Sequence, residues 1–382
     1  MSFYSGELFF TVFILVITGA LILGIWEKPL KGYNLIVSAI LVIFVLKDTP
    51  EKLIYFTAYL FIELVLVKIY QYIRGKHGRI VWIYRVFVFL TITPLILCKL
   101  CELKSLNQMG WFQFIGISYL TFRVVQIIIE LYDGVIEEIK VLDFAGFLIF
   151  FPTFSCGPID RSRRFVQDFR QTYGRKEYLE MFGAGLEKMA WGLLYKFVLA
   201  NLWYKLMGMV AAKTALNMIA YAYTYGFYMF FDFAGYSLMA VGTGYMLGIK
   251  VPDNFNKPFI SRDMKDFWAR WHISLSEWFR DFIFTRFIMA SMKKKRFKTR
   301  LTTASVGFII NMLVMGVWHG LAIQYIIYGL YHGILLALTE IYQKKSKFYK
   351  RNRKKKWYQV MSWGITMNLV MFGFLIFSGH FI

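Results

Sequence analysis

The chain reads as long apolar runs separated by short polar intervals, most of them basic. Leu8 to Trp26 carries no charge over 19 residues, enough for a helix to cross a hydrocarbon core of about 30 Å. Further apolar blocks lie near 33–46, 53–73, 80–98, 111–131, 142–156, 186–212, 215–248, 302–318, 321–342 and 357–379. The 215–248 block is long enough to hold more than one element. The pattern predicts an all-α, polytopic integral membrane protein with roughly ten to twelve transmembrane helices. Strand-like alternation over about ten residues is absent, which excludes a transmembrane β-barrel. The first block lacks a basic flank and a small-residue cleavage site, so it reads as an anchor and not a signal peptide.

Two polar stretches interrupt the pattern. Residues 157–185 are expected on the cytoplasmic face. Residues 249–281 are too charged to span lipid, yet too rich in Trp and Phe for a plain loop. They predict helices that lie in the interface or re-enter the protein interior. No internal repeat and no flexible linker divides the chain, so 1–382 reads as a single membrane-embedded domain.

Composition agrees with this class: 58% of the 382 residues are hydrophobic and 20% aromatic, with mean hydropathy +0.50. The formal charge of +22 is concentrated in Arg74 to Arg79, Arg161 to Lys176, Lys293 to Arg300 and Lys344 to Lys356. By the positive-inside rule these loops face the cytoplasm, where they meet anionic lipid headgroups and can steer an acidic cytosolic protein. No nucleic-acid motif accompanies the charge. The three cysteines cannot build a disulfide framework, and Cys98 and Cys101 have no second pair to complete a zinc site. No base stands beside Cys156 in sequence, and no metal cluster, nucleotide-binding loop or Ser-His-Asp spacing is present.

Histidine is scarce, and two of the five occur as Trp-His pairs, Trp271-His272 and Trp318-His319. His319 closes the uncharged run Ser305 to Val317. An imidazole there is costly unless satisfied, and it can move protons near neutral pH. Because Lys293 to Arg300 and Lys344 to Lys356 bracket two consecutive apolar segments, Trp318-His319-Gly320 falls at the apex of a hairpin or broken helix. Gly316 and Gly320 there allow close backbone approach. His332, 13 residues further on, falls on a different face if the helix is continuous. Ser276 lies at i+4 from His272 and shares its face if that segment is helical. Ser274 and Ser276 are either nucleophile candidates or ordinary hydrogen-bonding groups. Asp232, in FYMFFDFAGYS, needs a cationic partner or a proton. Arg161, Arg163 and Arg164 suit either lipid phosphate or solvent. From Arg280-Asp281 onward the segment reads as an amphipathic helix, with Phe282, Phe284, Ile288, Met289 and Met292 on its apolar face. That face either docks a carrier helix or anchors the interface.

FPTFSCGPIDRSRRF (151–165), FDFAGYSLMAVGTGYMLGI (231–249), NFNKPF (254–259), FWARWHISLSEWFRDFIF (267–284) and GVWHGLAIQYIIYGLYHG (316–333) together resemble the membrane-bound O-acyltransferase family. GPIDRSRRF points to the branch that D-alanylates teichoic acids. The resemblance covers 150–333 by motif and the rest mainly by hydropathy. It implies a multi-pass protein of the cell membrane. It also implies transfer of D-alanine from a phosphopantetheine thioester, borne by an acidic cytosolic carrier protein, to hydroxyls of teichoic or lipoteichoic acid. The chain itself would bind no cofactor or metal. Teichoic acid, the carrier, membrane lipids and a small membrane peptide of the same pathway are the implied partners. The family histidine maps onto His319, and that of the WHxS motif onto His272. Trp271, Ser274, Ser276, Arg280, Asp281, Phe284, Ile288, Met289, Met292, Trp318 and Asp232 are the candidate substrate- or carrier-binding residues. The rival expectations are acetylation of a secreted polysaccharide, transport of an acyl group or lipid without chemistry, and a non-catalytic scaffold.

Overall fold

A computed structural model describes residues 3–47, 49–101, 112–210 and 214–380. Every regular element among them is helical, and an isolated antiparallel bridge joins Phe255 to Trp271. Six helices are long and apolar enough to cross a membrane: Glu7–Ile25, Pro50–His77, Val81–Leu100, Arg300–His319, Ile323–Lys345 and Lys356–Phe377. Several other apolar blocks fold differently from a simple span. The 142–156 block is the nine-residue helix Val141–Ile149 followed by a 3₁₀ turn at Phe151–Thr153. The 186–212 block is cut by a π-helical turn, Leu194–Leu199, before the short helix Ala200–Gly208. The 215–248 block is one helix of 32 residues, Ala215–Met246. Trp111, Ala211 and Ala212, at the ends of two predicted blocks, lie outside the described residues.

The chain forms two compact units, Met1–Leu193 with Tyr236–Pro252, and Leu194–Gly235 with Asp253–Ile382. The first is organised around Ile117–Asp133, a helix buried along most of its length. Arg123 is wholly buried there, and its guanidinium donates to the carbonyls of Phe147 at 2.6 Å and Leu148 at 3.1 Å, and to the Thr153 hydroxyl at 2.6 Å. Those acceptors belong to the end of Val141–Ile149 and the turn after it, where helical carbonyls have no partner of their own. An apolar helix can therefore stop inside the protein without exposing its last turn to lipid. Cys98, Cys101 and Cys156 form no disulfide among the described residues.

The second unit is built on the hairpin of Arg300–His319 and Ile323–Lys345. A Cβ on Gly316 would stand 2.3 Å from the Tyr325 carbonyl oxygen, and one on Gly329 would stand 2.4 Å from that of Met312. The two backbones thus touch, as small residues permit between membrane helices. Lys356–Phe377 packs on the second of these helices.

Gly329→Val pushes against backbone that cannot move aside, and should cost about 1–3 kcal/mol. It is expected to lower the thermal midpoint of the purified protein in scanning fluorimetry. Gly364→Ala, which meets nothing within 4 Å, should leave the midpoint unchanged.

Candidate functional site

The 249–281 stretch contains no long helix. It holds a 3₁₀ turn at Pro258–Ile260 and the short helices Met264–Trp268 and Ile273–Phe279. NFNKPF pins it down. The Asn254 carbonyl accepts from Ile273 N at 2.9 Å, and its side-chain Oδ1 accepts from Ser274 N at 3.3 Å and Ser274 Oγ at 2.6 Å. Asn256 N donates to the Arg270 carbonyl at 3.0 Å. Asp263 caps Met264–Trp268 by accepting from the backbone N–H of Lys265 and Asp266. Trp271 is buried, its ring stacked on Phe267 and edge-on to Phe255.

His272 stands at the junction in a left-handed conformation, φ 45° and ψ 53°. A non-glycine residue persists there only where its surroundings over-determine it, and such strain gathers at functional sites. Phe233 lies edge-on to its ring at 4.7 Å, and its buried Nε2 has no hydrogen-bond partner. Burial pushes its pKa down from 6.5 to about 3, and the charge of His319 adds in the same direction. The segment lies outside the six spans, and its imidazole is neutral at physiological pH.

His319 is the last residue of its helix. Its ring meets Trp318 at 4.6 Å, Phe377 at 5.2 Å, Tyr325 at 6.3 Å and Tyr328 at 6.4 Å. The chain turns at Gly320 and starts a new helix at Ile323, so the predicted hairpin apex is observed.

Two expectations are corrected here. His272 is the N-cap of Ile273–Phe279, and its carbonyl accepts from Ser276 N at 3.0 Å, but its own left-handed backbone departs from the helical geometry that a shared side-chain face assumes; the Ser276 hydroxyl donates to the Trp271 carbonyl at 3.2 Å. The expected apolar face beyond Arg280 is divided. Phe284 and Ile288 press on Gly307, while Met289 and Met292 are 67% and 44% exposed. That segment begins as a π-helical turn, Arg280–Phe284, with Arg280 bonded to Asp281 at 2.9 Å and near Glu277 at 3.6 Å. Asp232 pairs with Lys196, and both are partly exposed.

The structure also joins residues the sequence reading passed over to the candidates Arg280 and Phe284. A cavity of about 320 Å³ lies between the short helices and the hairpin, with Lys265, Glu277 and Arg280 in its wall beside Phe284, Phe308, Met312 and Met315. Buried Trp268 Nε1 and Asn311 Oδ1, on two of its lining residues, have no hydrogen-bond partner. Met315 stands one helical turn before His319. Lys265 is bonded to Glu340 at 2.5 Å. His332 is fully buried with neither ring nitrogen partnered, edge-on to Trp268 at 5.3 Å and to Tyr328 at 4.5 Å. Tyr328 therefore touches both His319 and His332. The signal was legible: Gly316-Val-Trp-His319-Gly and Gly329-Leu-Tyr-His332-Gly repeat one arrangement.

The sequence pattern of the membrane-bound O-acyltransferase family matches residues 80–379. The chain is 40% identical to a teichoic acid D-alanyltransferase of Bacillus subtilis, over 99% of this chain and 98% of that one. It is 39% identical to a teichoic acid D-alanyltransferase of Streptococcus thermophilus, over 98% of this chain and 94% of that one. A probable alginate O-acetylase of Pseudomonas fluorescens is 33% identical over 70% of this chain and 51% of its own length.

The depressed pKa of His272 has a signed consequence. Above pH 6.5 the folded and unfolded chains both hold a neutral imidazole; between 6.5 and about 3 only the unfolded chain takes up the proton. Its contribution to stability is thus complete above that window and lost as pH falls through it, at up to about 1.4 kcal/mol per pH unit. The thermal midpoint of His272→Gln should fall less steeply than wild type between pH 6.5 and 5, and parallel curves would contradict the buried neutral state.

Proposed function

The chain belongs to the membrane-bound O-acyltransferase family, and from that premise we propose that it moves D-alanine from a carrier-protein thioester to hydroxyls of teichoic acid, with His319 as the general base. It is a multi-pass acyltransferase of the cell membrane. The observation that carries the site is the placing of His319 at a glycine-packed hairpin apex, one turn beyond the cavity that ends at Met315.

That cavity suits a phosphopantetheine arm. Lys265 and Arg280 would exchange their present partners, Glu340 and Asp281, for its phosphate, and the orphaned Trp268 Nε1 and Asn311 Oδ1 offer a donor and an acceptor for its amides. The apolar side chains of Phe308, Met312 and Met315 help exclude the water that would hydrolyse a thioester. Phe308 to His319 spans about 16 Å along the helix axis, so an arm entering from the basic side reaches the imidazole.

His319 takes the proton of the acceptor hydroxyl as its oxygen attacks the thioester carbonyl. The C–O ester bond forms, the C–S bond breaks, and the departing thiolate recovers the proton from the imidazolium. His272, neutral and with an orphaned Nε2, is assigned to the developing oxyanion, in the tautomer that carries the proton on Nε2. Ser274 and Ser276 both spend their hydroxyl protons on protein acceptors, which favours direct transfer over a serine ester. Trp271, Trp318 and the Asp232–Lys196 pair act as supports for this site. The exposed Met289 and Met292, with Lys293 to Arg300 beyond them, are the proposed dock for the acidic carrier. A small membrane peptide is a further proposed partner, and residues 1–382 are taken as one functional domain.

Transfer of radiolabelled D-alanine from charged carrier to teichoic acid in membranes tests the assignment. His319→Ala at matched expression should lose at least about 100-fold in rate while still binding carrier. Met315→Trp should block transfer with His319 intact. Near-normal transfer in His319→Ala would make the chain a conduit or docking platform.

A further inference from the structure

A second concavity, separate from the acyl-transfer site, opens where Ile323–Lys345 ends and Lys356–Phe377 begins. Its volume is about 550 Å³, and Arg262, Arg353 and Lys354 stand exposed in its wall. None of these three forms an ion pair among the described residues. Asp263, the carboxylate among the lining residues, is already engaged. One oxygen accepts from Gln343 Nε2 at 3.0 Å, and the other from the backbone N–H of Lys265 at 2.9 Å and Asp266 at 3.0 Å. With three cations and one carboxylate in its wall, the cup presents net positive charge. Lys344 to Lys356 lie around it, which puts it on the cytoplasmic side.

Below the cations the wall turns apolar. Met361, Ile365 and Leu369 follow at i, i+4 and i+8 on one face of Lys356–Phe377. The same three residues line a second groove of about 910 Å³ that continues past Tyr331 to Phe372 and Leu375. The cup and the groove thus adjoin along that strip. From Met361 to Phe372 the helix rises about 16 Å, close to one leaflet of a hydrocarbon core about 30 Å thick. A free anion would fill only the cup, and a neutral chain only the groove. An amphiphile with an anionic head fills both.

We propose that cup and groove together bind one anionic phospholipid of the cytoplasmic leaflet. Its phosphate lies at Arg262, Arg353 and Lys354, and one acyl chain runs along Met361, Ile365 and Leu369. This goes beyond the diffuse attraction of basic loops to a negative surface, because it fixes a single lipid at a shaped site. Such a lipid would also brace the region before the catalytic segment. The Ser362 hydroxyl already donates to the Arg262 carbonyl, and Trp363 Nε1 to that of Phe259 at 2.8 Å.

The test is native mass spectrometry of the full chain, released from nanodiscs holding equal phosphatidylglycerol and phosphatidylcholine. Wild type should retain one phosphatidylglycerol in preference to phosphatidylcholine. Arg353→Ala with Lys354→Ala, both at exposed positions, should cut that retention about fivefold per cation removed. Leu369→Trp should displace the lipid with the charges untouched. Lys293→Ala with Lys294→Ala, basic residues outside the cup, should retain it. Free glycerol phosphate should fail to displace it, since the chain contributes to binding. Equal retention of the two lipids would overturn the proposal, and so would equal loss in the Lys293/Lys294 control. Undiminished retention in the Arg353/Lys354 variant would do the same. Displacement by glycerol phosphate would reassign the cup to a free phosphate ligand.

Discussion

Backbone contact between Arg300–His319 and Ile323–Lys345 is the constraint on which the candidate site depends. Two helices in lipid gain little from burying apolar side chains against each other, because the surroundings are equally apolar. What holds them is close packing, and Gly316 and Gly329 let the carbonyls of Tyr325 and Met312 approach where any side chain would collide. That contact fixes the turn at Gly320. The turn in turn sets His319 among Trp318, Phe377, Tyr325 and Tyr328. A looser hairpin would leave the imidazole to find its own place, and general-base chemistry tolerates little misplacement.

The two histidines occupy different physical settings. His272 is buried, held in a left-handed conformation by the pairing of Asn254–Asn256 with Arg270–Ser274, and neutral at physiological pH. His319 is less enclosed and ends a membrane helix. A group that must exchange a proton with an incoming hydroxyl needs such access. A group that must meet developing negative charge needs fixed position and low dielectric. Burial, more than distance along the chain, separates the two proposed roles.

Much of this was legible in the sequence, for reasons that can be traced to residues. Two lysine-rich clusters bracketing two apolar runs were enough to put His319 at a hairpin apex, because charge and length decide topology in lipid. The membrane class followed from the same runs. Other features depended on long-range partners that no local pattern shows. The 142–156 block looked like a span, yet it stops after nine helical residues because Arg123, from another helix, satisfies its carbonyls. Ser276 was placed on the face of His272 by assuming helical geometry at both, and the positive φ of His272 departs from it although its carbonyl still accepts from Ser276 N. His332 was set aside by supposing a continuous helix from His319. The break at Gly320 to Ala322 voids that spacing and brings His332 back to the site through Tyr328.

Two hollows of the second unit carry cations in their walls, and what lies beneath the charge tells them apart. Under Lys265 and Arg280 the wall includes Trp268 and Asn311, whose buried polar atoms have no partner in the protein. Such atoms cost free energy until a ligand supplies the missing hydrogen bond, so that hollow asks for a guest with polar groups along its length. Under Arg353 and Lys354 the wall runs through Met361, Ile365 and Leu369, which also line an adjoining apolar groove. A guest there needs only a charged end and a hydrocarbon tail. Charge alone would attract both guests to both hollows. The orphaned polar atoms favour the amide-bearing arm in one, and their absence from the shared strip of the other leaves it to an acyl chain. If both proposed guests bind, specificity between them comes from the depth of each hollow and not from its rim.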